Sequence, residues 1–451
     1  MANYRYRLSL SFLTVVVLAA GSEPVSAQQP LNLDSCIEEA LANNPQISRA
    51  QQQVKQSELQ RRQASGALLP SLSVNGAFSR YTSVSPQRLL NPATNQIVDG
   101  SSTAMTSMTY FSGLNLSQAL YNKSITALYS QARAGEQTAI AAADMQSQLV
   151  VLQVYQAYYS LLRAQRNLVV AETDVGYNTE LLRQVRTLFE LGNRAQVDVL
   201  RQESAQAQSQ QRLISADNSV KKARAELNFQ MGADPRRPLE IVDNLELVPQ
   251  EVVFDTSLQR AMVSHPVIRQ ASLTITAAEA GVDAAAASRY PSVNLSGNYS
   301  WRGDSYLDIT DAFSSDYTWS VGVGLYLNIF DGMRTSLNLQ RAQVELAGAE
   351  RDRLDAERSV TRDVHSAVLD LQEAEQILQT ARRAVDLANE ALRLAEEMYR
   401  IGSGTLLEVN ASQFDLINAQ YQEVQALFNL KIARASLDYS MGLLRYVVTE
   451  R

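Results

Sequence analysis

The sequence predicts a mainly α-helical chain that also carries a few membrane β-strands, and three observations predict it. One unit of helix, strand, strand, long helix and helix is written twice along the chain. Several segments alternate apolar with small polar residues, as membrane strands do. The longest segments keep an unbroken heptad pattern, which is typical of coiled coils.

The first residues read as a targeting segment. Arg5 and Arg7 precede an apolar run, and Val25-Ser26-Ala27 supplies the small residues of a cleavage site. Residues 1–27 are therefore predicted to be a secretory signal peptide. Because no later stretch is long and apolar enough for a transmembrane helix, the exported chain is expected to be periplasmic, secreted or an outer-membrane barrel.

The composition of the chain argues against several classes of function. The chain has 451 residues and a net charge of −7 without a basic cluster, which argues against nucleic acid as a partner. Cys36 is the only cysteine, so no intrachain disulfide can form. His265 and His365 lack metal-ligand spacing, and no phosphate loop or catalytic triad stands out. We predict no metal, no cofactor and no enzymatic activity.

The repeat defines the domain boundaries. An offset of 221 residues aligns the early parts of the two units, and an offset of 210 aligns the later parts. The difference of 11 residues is expected to lie in a longer loop after Arg80, because loops tolerate insertions. The predicted regions are repeat one (28–232), a linker (233–253), repeat two (254–442) and a C-terminal tail (443–451).

Four segments are predicted to be membrane strands. The clearest are Val293–Trp301 and the 13-residue run Tyr317–Ile329, and repeat one shows the pattern near Leu72–Phe78 and Leu114–Leu120. An ordinary half-buried soluble sheet is the alternative, and the length of the longest run argues against it. Four strands cannot close a barrel, so copies must pool them. Two copies would supply eight strands and three copies would supply twelve. The strand count alone does not decide between a dimer and a trimer.

Helices are predicted over about 34–66, 124–190, 195–231 and 333–400, and the two long ones would each reach roughly 100 Å at 1.5 Å per residue. One heptad seam runs along 364–399 and its repeat equivalent along 154–189. A second, weaker seam follows Ile377, Ala384, Leu387, Ala391, Leu394, Met398 and Ile401. Two seams suit a closed ring, although a soluble bundle would show the same pattern. The linker and the mature N-terminus are expected to meet halfway along the tube.

Several twice-repeated motifs resemble the outer membrane efflux protein family, the TolC-like exit ducts. The matching motifs are Leu33–Ile37 with Asn43-Asn44-Pro45, Leu69–Leu72, Leu116–Asn122, Leu325–Gly332, Phe189–Gly192 with Val197–Val199, and Tyr399–Gly402 with Leu407–Val409. The resemblance implies a homotrimeric 12-stranded β-barrel continued by an antiparallel coiled-coil α-barrel with an equatorial belt. It also implies an outer-membrane location, with a large periplasmic portion. The implied partners are outer-membrane lipid, a periplasmic adaptor, and an inner-membrane pump or ABC transporter that drives efflux or type I secretion.

The resemblance also implies a periplasmic gate near the two helix–helix turns. Asp198 and Tyr399 match two of the family's linking positions, whereas Gly404 stands where the family has an Arg, and Arg194 is a candidate substitute. Glu408 matches one of two ring acids, but the second position is Ala, so cation binding there is in doubt. The alternative for both acids is helix capping or solvation after a glycine turn.

The turn residues are the candidate adaptor-docking tips: Leu191, Gly192, Asn193, Val197, Ile401, Gly402, Ser403, Gly404 and Leu407, with Leu406 as a further apolar contact. The competing function is a trimeric tether that is anchored in the outer membrane and transports nothing. The small polar residues on one strand face favour an open lumen. The sequence leaves open whether the cargo is a drug, a metal or a protein.

Overall fold

A computed structural model describes residues 30–242, 252–304 and 317–444. In chain order the elements are α1 (Leu33–Asn43), α2 (Pro45–Gly66), β1 (Ser71–Asn91), β2 (Gln96–Tyr121), α3 (Lys123–Glu190), α4 (Gln196–Gln230), α5 (Phe254–Ser264), α6 (Pro266–Ala286), β3 (Ser292–Gly303), β4 (Tyr317–Tyr326), α7 (Arg334–Arg400) and α8 (Leu406–Ser440). The last six elements repeat the first six in kind and order. The predicted signal peptide lies outside the described residues, as does the tail beyond Leu444. Within the described ranges, no helix has the length and apolarity needed to span a bilayer.

The helix predicted over 34–66 is two helices rather than one. Asn44 is extended, with ψ 126°, and Pro45 starts α2 at its first position. The proline ring excludes the residue before it from the helical region, so the chain must turn there. The Asn44 side chain then caps α2 by accepting from the Gln46 amide at 2.8 Å. Repeat two breaks in the same way, between α5 and α6 at His265.

The strands form one antiparallel sheet in the order β1-β2-β3-β4. β4 ends at Tyr326, so the strand predicted to reach Ile329 stops three residues earlier. Among the described residues, the outer edges of β1 and β4 pair with no other strand. Those edges therefore leave backbone donors and acceptors unpaired.

The longer loop predicted after Arg80 is wrong. β1 and β2 stay paired far beyond that point, through Arg80↔Met108 and out to Asn91↔Gln96. The extension includes Tyr81, Thr82, Val84 and Ile97, residue types that favour strands, and a short turn at 92–95 joins the two strands. The insertion has therefore lengthened a hairpin instead of a loop.

The sheet has one apolar and one polar face, as the alternation predicts. The register places Leu295 beside Val323 and Tyr299 beside Trp319 on the apolar face. The opposite face carries an asparagine ladder across three strands. Asn298 donates to Asn115 at 2.7 Å, and Asn115 donates to Asn75 at 2.6 Å. These side-chain hydrogen bonds between neighbouring strands stabilise this register.

The long helices pack along the predicted first seam. On α7 the buried residues include Val364, Leu371, Leu378, Leu392 and Tyr399. The second seam is different, because its large members, such as Ile377 and Leu387, are exposed on this single chain. α3 and α7 have 68 and 67 residues, and each therefore extends for about 100 Å.

The linker and the N-terminal segment meet, as the sequence predicts. Leu31 and Ile241 form an isolated parallel bridge, in which the Leu31 amide donates to the Glu240 carbonyl at 2.9 Å. Arg237 then forms an ion pair with Glu39 of α1. These contacts attach the start of the linker to the first helix.

Candidate functional site

Both long helices end in the same glycine turn. Gly192 and Gly402 have φ of 75° and 83°, a backbone conformation that glycine adopts without steric cost. After α3, the Gly192 amide donates to Phe189 and the Asn193 amide donates to Leu188, each at 2.9 Å. The α7 end repeats these two bonds, which define a Schellman motif. The motif reverses the chain sharply and leaves two short tips.

Most of the candidate docking residues lie on the tip surface. Leu191, Val197, Ile401 and Leu407 are exposed apolar side chains, and Gly192, Asn193, Gly402 and Ser403 are exposed as well. Such an apolar cluster is the kind of surface on which a partner helix packs. Two candidates do not share this exposure, because Gly404 and Leu406 are buried. Adaptor docking at the exposed residues stays a prediction.

The burial of Gly404 explains why no Arg stands there. A Cβ atom at this position would lie 3.0 Å from the Met398 Cβ and 3.1 Å from the Tyr399 amide nitrogen. That approach is too close for an ordinary side chain without movement of α7.

Arg194, the candidate substitute in repeat one, links the two turns. Its Nη2 donates to the Tyr399 carbonyl oxygen at 3.1 Å. Its guanidinium also stacks 4.1 Å from the centre of the Tyr399 ring, which is a cation–π geometry. The structure therefore joins the Arg and the aromatic residue that the sequence singled out, across the two repeats.

Asp198 and Tyr399 are neighbours but do not share a hydrogen bond. The Tyr399 hydroxyl is buried without a hydrogen-bond partner. Burial raises the pKa of Tyr399, Arg194 opposes that rise, and the nearby Asp198 carboxylate adds to it. The nearest cation to Asp198 is Arg201, at 3.7 Å. Its role in a gate stays a prediction.

Glu408 has a local partner that accounts for its position. Its carboxylate accepts from the Thr405 amide at 2.8 Å, while the Thr405 hydroxyl accepts from the Glu408 amide at 3.3 Å. This reciprocal pair is a capping box at the start of α8. The capping interpretation therefore has a structural basis, and a role in a charged ring stays a prediction.

Further along the helices lies a buried polar cluster that the sequence analysis does not predict. The Asp174 carboxylate of α3 accepts from Arg212 of α4 at 2.6 and 3.1 Å. It also accepts from Asn178 at 2.9 Å and from Gln413 of α8 at 3.3 Å. Gln202 extends the cluster by donating to Asn178 at 3.0 Å. One carboxylate thus joins both repeats.

One signal could have revealed this cluster. Asn178 occupies a seam position in repeat one where repeat two has Ala388, and a polar residue in an apolar seam usually has a buried partner. A second cross-repeat link lies nearby, where the Tyr177 hydroxyl donates to Glu396 at 2.7 Å. Burial, followed by this bond to a carboxylate, raises the pKa of Tyr177.

The two histidines have structural roles in the described chain. His265 caps α6 by accepting from the Val267 amide at 3.2 Å, and burial lowers its pKa, with Asp363 opposing. His365 packs edge-on against Phe254. Across residues 30–242, 252–304 and 317–444, no group of three or more potential ligands could hold a metal ion.

The fold and the site define a class of chain in which a small antiparallel sheet connects to two long helical hairpins with glycine-turn tips. The family model of outer membrane efflux proteins matches residues 36–233 and 257–443. The chain therefore belongs to the outer membrane efflux protein family.

Individual relatives are distant. Outer membrane protein TolC of Vibrio cholerae is 24% identical over 246 residues, which cover 53% of this chain and 55% of that protein. Protein CyaE of Bordetella pertussis is 28% identical over 229 residues, which cover 49% of this chain and 46% of that protein. The chain thus spans about half the length of these curated relatives.

A solved structure agrees over a longer range. The CmeC outer membrane channel of Campylobacter jejuni superposes with a TM-score of 0.76 at 16% identity, covering 91% of this chain and 85% of that one. At this identity the likeness shows the fold alone. The arrangement of sheet and helical hairpins is therefore shared along most of both chains.

Proposed function

We propose that this chain forms a homotrimeric exit duct in the outer membrane. Three copies would pool their sheets into a 12-stranded barrel, and the helical hairpins would continue the bore as a tube in the periplasm. The observation that carries the proposal is the sheet, with its exposed apolar face and two unpaired edges among the described residues. A lipid bilayer does not tolerate open edges, so the sheet needs neighbours to close it.

The polar face supports a duct more than a tether. The ladder of Asn75, Asn115 and Asn298 lies on the face that would line the barrel, together with Ser296 and Gly322. Small polar residues there suit a water-filled lumen. A sealed anchor would instead be expected to fill its interior with large side chains.

Partners follow from family membership and the tips. A periplasmic adaptor would dock on Leu191, Val197, Ile401 and Leu407, and an inner-membrane pump or ABC transporter would supply the energy. The duct would conduct cargo passively once its periplasmic end opens. The link from Arg194 to Tyr399 would hold that end closed.

Conductance tests this proposal directly. The protein, purified in detergent, is expected to have the native mass of a trimer and to conduct ions in planar bilayers. Arg194→Ala should raise the open probability, because it removes the link between the two turns. Arg183→Ala is the matched control, since Arg183 pairs only within α3 with Glu180. A trimer that conducts nothing, with or without Arg194, would favour the tether.

Docking needs a separate readout. Leu191→Glu with Ile401→Glu places charges on both tips and should abolish export in the native host, while single-channel conductance is kept. Val263→Glu, at an exposed apolar residue of α5 away from the tips, is the control and should preserve export. Full export by the double tip variant would contradict adaptor docking at these residues.

A further inference from the structure

The two repeats join the sheet to their long helix in different ways. In repeat one, β2 ends at Tyr121 and α3 begins at Lys123, so a single residue connects them. In repeat two, β4 ends at Tyr326 and α7 begins only at Arg334. Residues 327–333 therefore form a connector, whereas their equivalents in repeat one belong mostly to β2.

The connector holds apolar side chains in the open. Ile329 is 93% exposed and Phe330 is 83% exposed, which places both among the most exposed large apolar residues of the described chain. Gly332 and Met333 follow, each with a φ of 69°. This left-handed conformation is unfavourable for a residue with a Cβ atom, such as Met333. The fold thus maintains the turn against a local cost, and the exposed pair needs a surface to cover it.

The exposed pair lies next to the apolar face of the sheet. That face includes Val321, Val323 and Leu325 of β4, all of them exposed. Ile329 keeps the same alternate spacing beyond Leu325. In the proposed barrel this face lies against lipid, so Ile329 and Phe330 follow the strand to the level at which acyl chains meet headgroups.

A cavity of about 220 Å³ opens beside the exposed pair. It lies between a short 3₁₀ turn after α6, Ala287–Arg289, and the start of α7. Arg289, Asn328 and Asp331 line it together with Ile329 and Phe330. One cavity therefore combines a cation, a carboxylate and two apolar side chains.

Both charges in the cavity are available to a ligand. The Arg289 guanidinium pairs with no other residue in the described part of the chain. Asp331 uses its Oδ2 atom to cap α7, where it accepts from the Thr335 amide at 2.9 Å. Its Oδ1 atom accepts from no other residue of the described ranges. A ligand that carries both a negative and a positive group would match this pair of charges.

Repeat one carries no equivalent site. Leu68 and Tyr121 stand at the repeat positions of Arg289 and Asp331, so both charges are missing there. Lys123 is a cation close to this end of the sheet, but its ammonium already lies 4.2 Å from the centre of the Tyr290 ring. The paired charges therefore belong to repeat two and occur once in each copy.

We infer that this cavity binds the headgroup of a glycerophospholipid that carries a phosphate and a primary ammonium, as phosphatidylethanolamine does. Arg289 pairs with the phosphate, and Asp331 Oδ1 accepts from the ammonium. Ile329 and Phe330 contact the acyl chains, which removes their apolar surface from water. The inference rests on the proposed duct and names the lipid class that each copy holds where the sheet meets α7.

Native mass spectrometry of the full-length protein tests the site. The trimer, stripped of lipid in detergent, is titrated with dioleoylphosphatidylethanolamine or dioleoylphosphatidylcholine. The two lipids share the phosphate and acyl chains, but only the first has ammonium N–H donors. The ethanolamine lipid should be retained at one molecule per copy and in preference to the choline lipid. Arg289→Gln should weaken the retention of both lipids about tenfold, because one charge-assisted hydrogen bond is lost.

Two further variants separate the roles of the charges. Asp331→Asn keeps an acceptor that can cap α7 and should remove only the preference for the ethanolamine lipid. Arg334→Gln is the control, because Arg334 does not line the cavity, and it should leave retention unchanged. A trimer that retains no lipid, or whose Arg289→Gln variant retains both lipids at full strength, overturns the lipid site but leaves the duct intact. The absence of any trimer overturns the proposed function itself.

Discussion

The buried carboxylate of Asp174 gives a testable prediction. The second repeat provides the design of its control variant, because it has different residues at the equivalent positions. Asp174 is 1% exposed and its ion-pair partner Arg212 is 31% exposed. Arg212→Ala would leave the carboxylate buried with only amide partners. Removing one partner of a buried pair costs about 3–5 kcal/mol, and the partial exposure of Arg212 places the expected loss at the lower end, about 3 kcal/mol.

The double variant Asp174→Ala with Arg212→Gln reproduces the residues of repeat two at these positions. It removes the buried charge together with its counter-ion, and leaves only the Asn178 and Gln413 amides to find new partners. That change is expected to cost about 1–2 kcal/mol, because unpaired buried amides carry a smaller penalty than an unpaired charge. The double variant should therefore be more stable than the single variant Arg212→Ala.

Hydrogen exchange of residues 170–180 is the suitable assay, because a large oligomer does not unfold in two states while local opening can still be measured. Protection should fall most in Arg212→Ala and recover in part in the double variant. Lys221→Ala is the control, since its pair with Asp217 is exposed. A double variant that is no better protected than Arg212→Ala would refute the account of a buried carboxylate that requires its counter-ion.

Three further predictions follow from the described contacts. Burial lowers the pKa of His265 below its usual 6.5, so the folded chain binds this proton less tightly than the unfolded chain does. The stability of the fold should therefore decrease as the pH drops below about 6.5. The variant His265→Asn, which copies the helix cap of Asn44, should make the melting temperature less dependent on pH. Gly232→Ala should lower the melting temperature more than Gly192→Ala, because both have φ 75° but only a Cβ at Gly232 would collide with the Asn43 backbone; equal losses would contradict this. Tyr399→Phe should change conductance little, because the hydroxyl has no partner, whereas Tyr399→Leu should open the duct as Arg194→Ala does.

Much of the fold was accessible from the sequence because the repeat doubles every signal. The two long helices begin and end within a residue of their predicted bounds, since the heptad seam and the glycine turns agree there. The sequence pattern does not predict the break at Asn44 in spite of Pro45, because apolar spacing continues across the proline and hides the kink. The sequence does not predict the long hairpin, because an insertion between two strands is more often a loop than an extension of both strands.

The candidate site is harder to predict from the sequence than the fold is. Sequence reasoning brought Arg194 and Tyr399 together, but their link depends on how closely two turns approach in space. The turn sequence predicts that Gly404 belongs to the docking surface, yet its backbone packs against Met398 and Tyr399 of α7, a contact that only the three-dimensional structure reveals. Asp174 lies among solvated heptad charges in the sequence, and the polar seam residue Asn178 is its one local signal; the partners Arg212 and Gln413 appear only where α4 and α8 cover it.

The tall hairpin of repeat one affects how the assembled protein would look from outside the cell. β1 and β2 remain paired for 11 residues past Arg80, a ribbon of about 35 Å at 3.3 Å per residue. In the proposed trimer these ribbons would form a crown with three points, one from each copy. An antibody or a phage approaching the surface would meet the turn at 92–95 first, so this segment is where such encounters would begin.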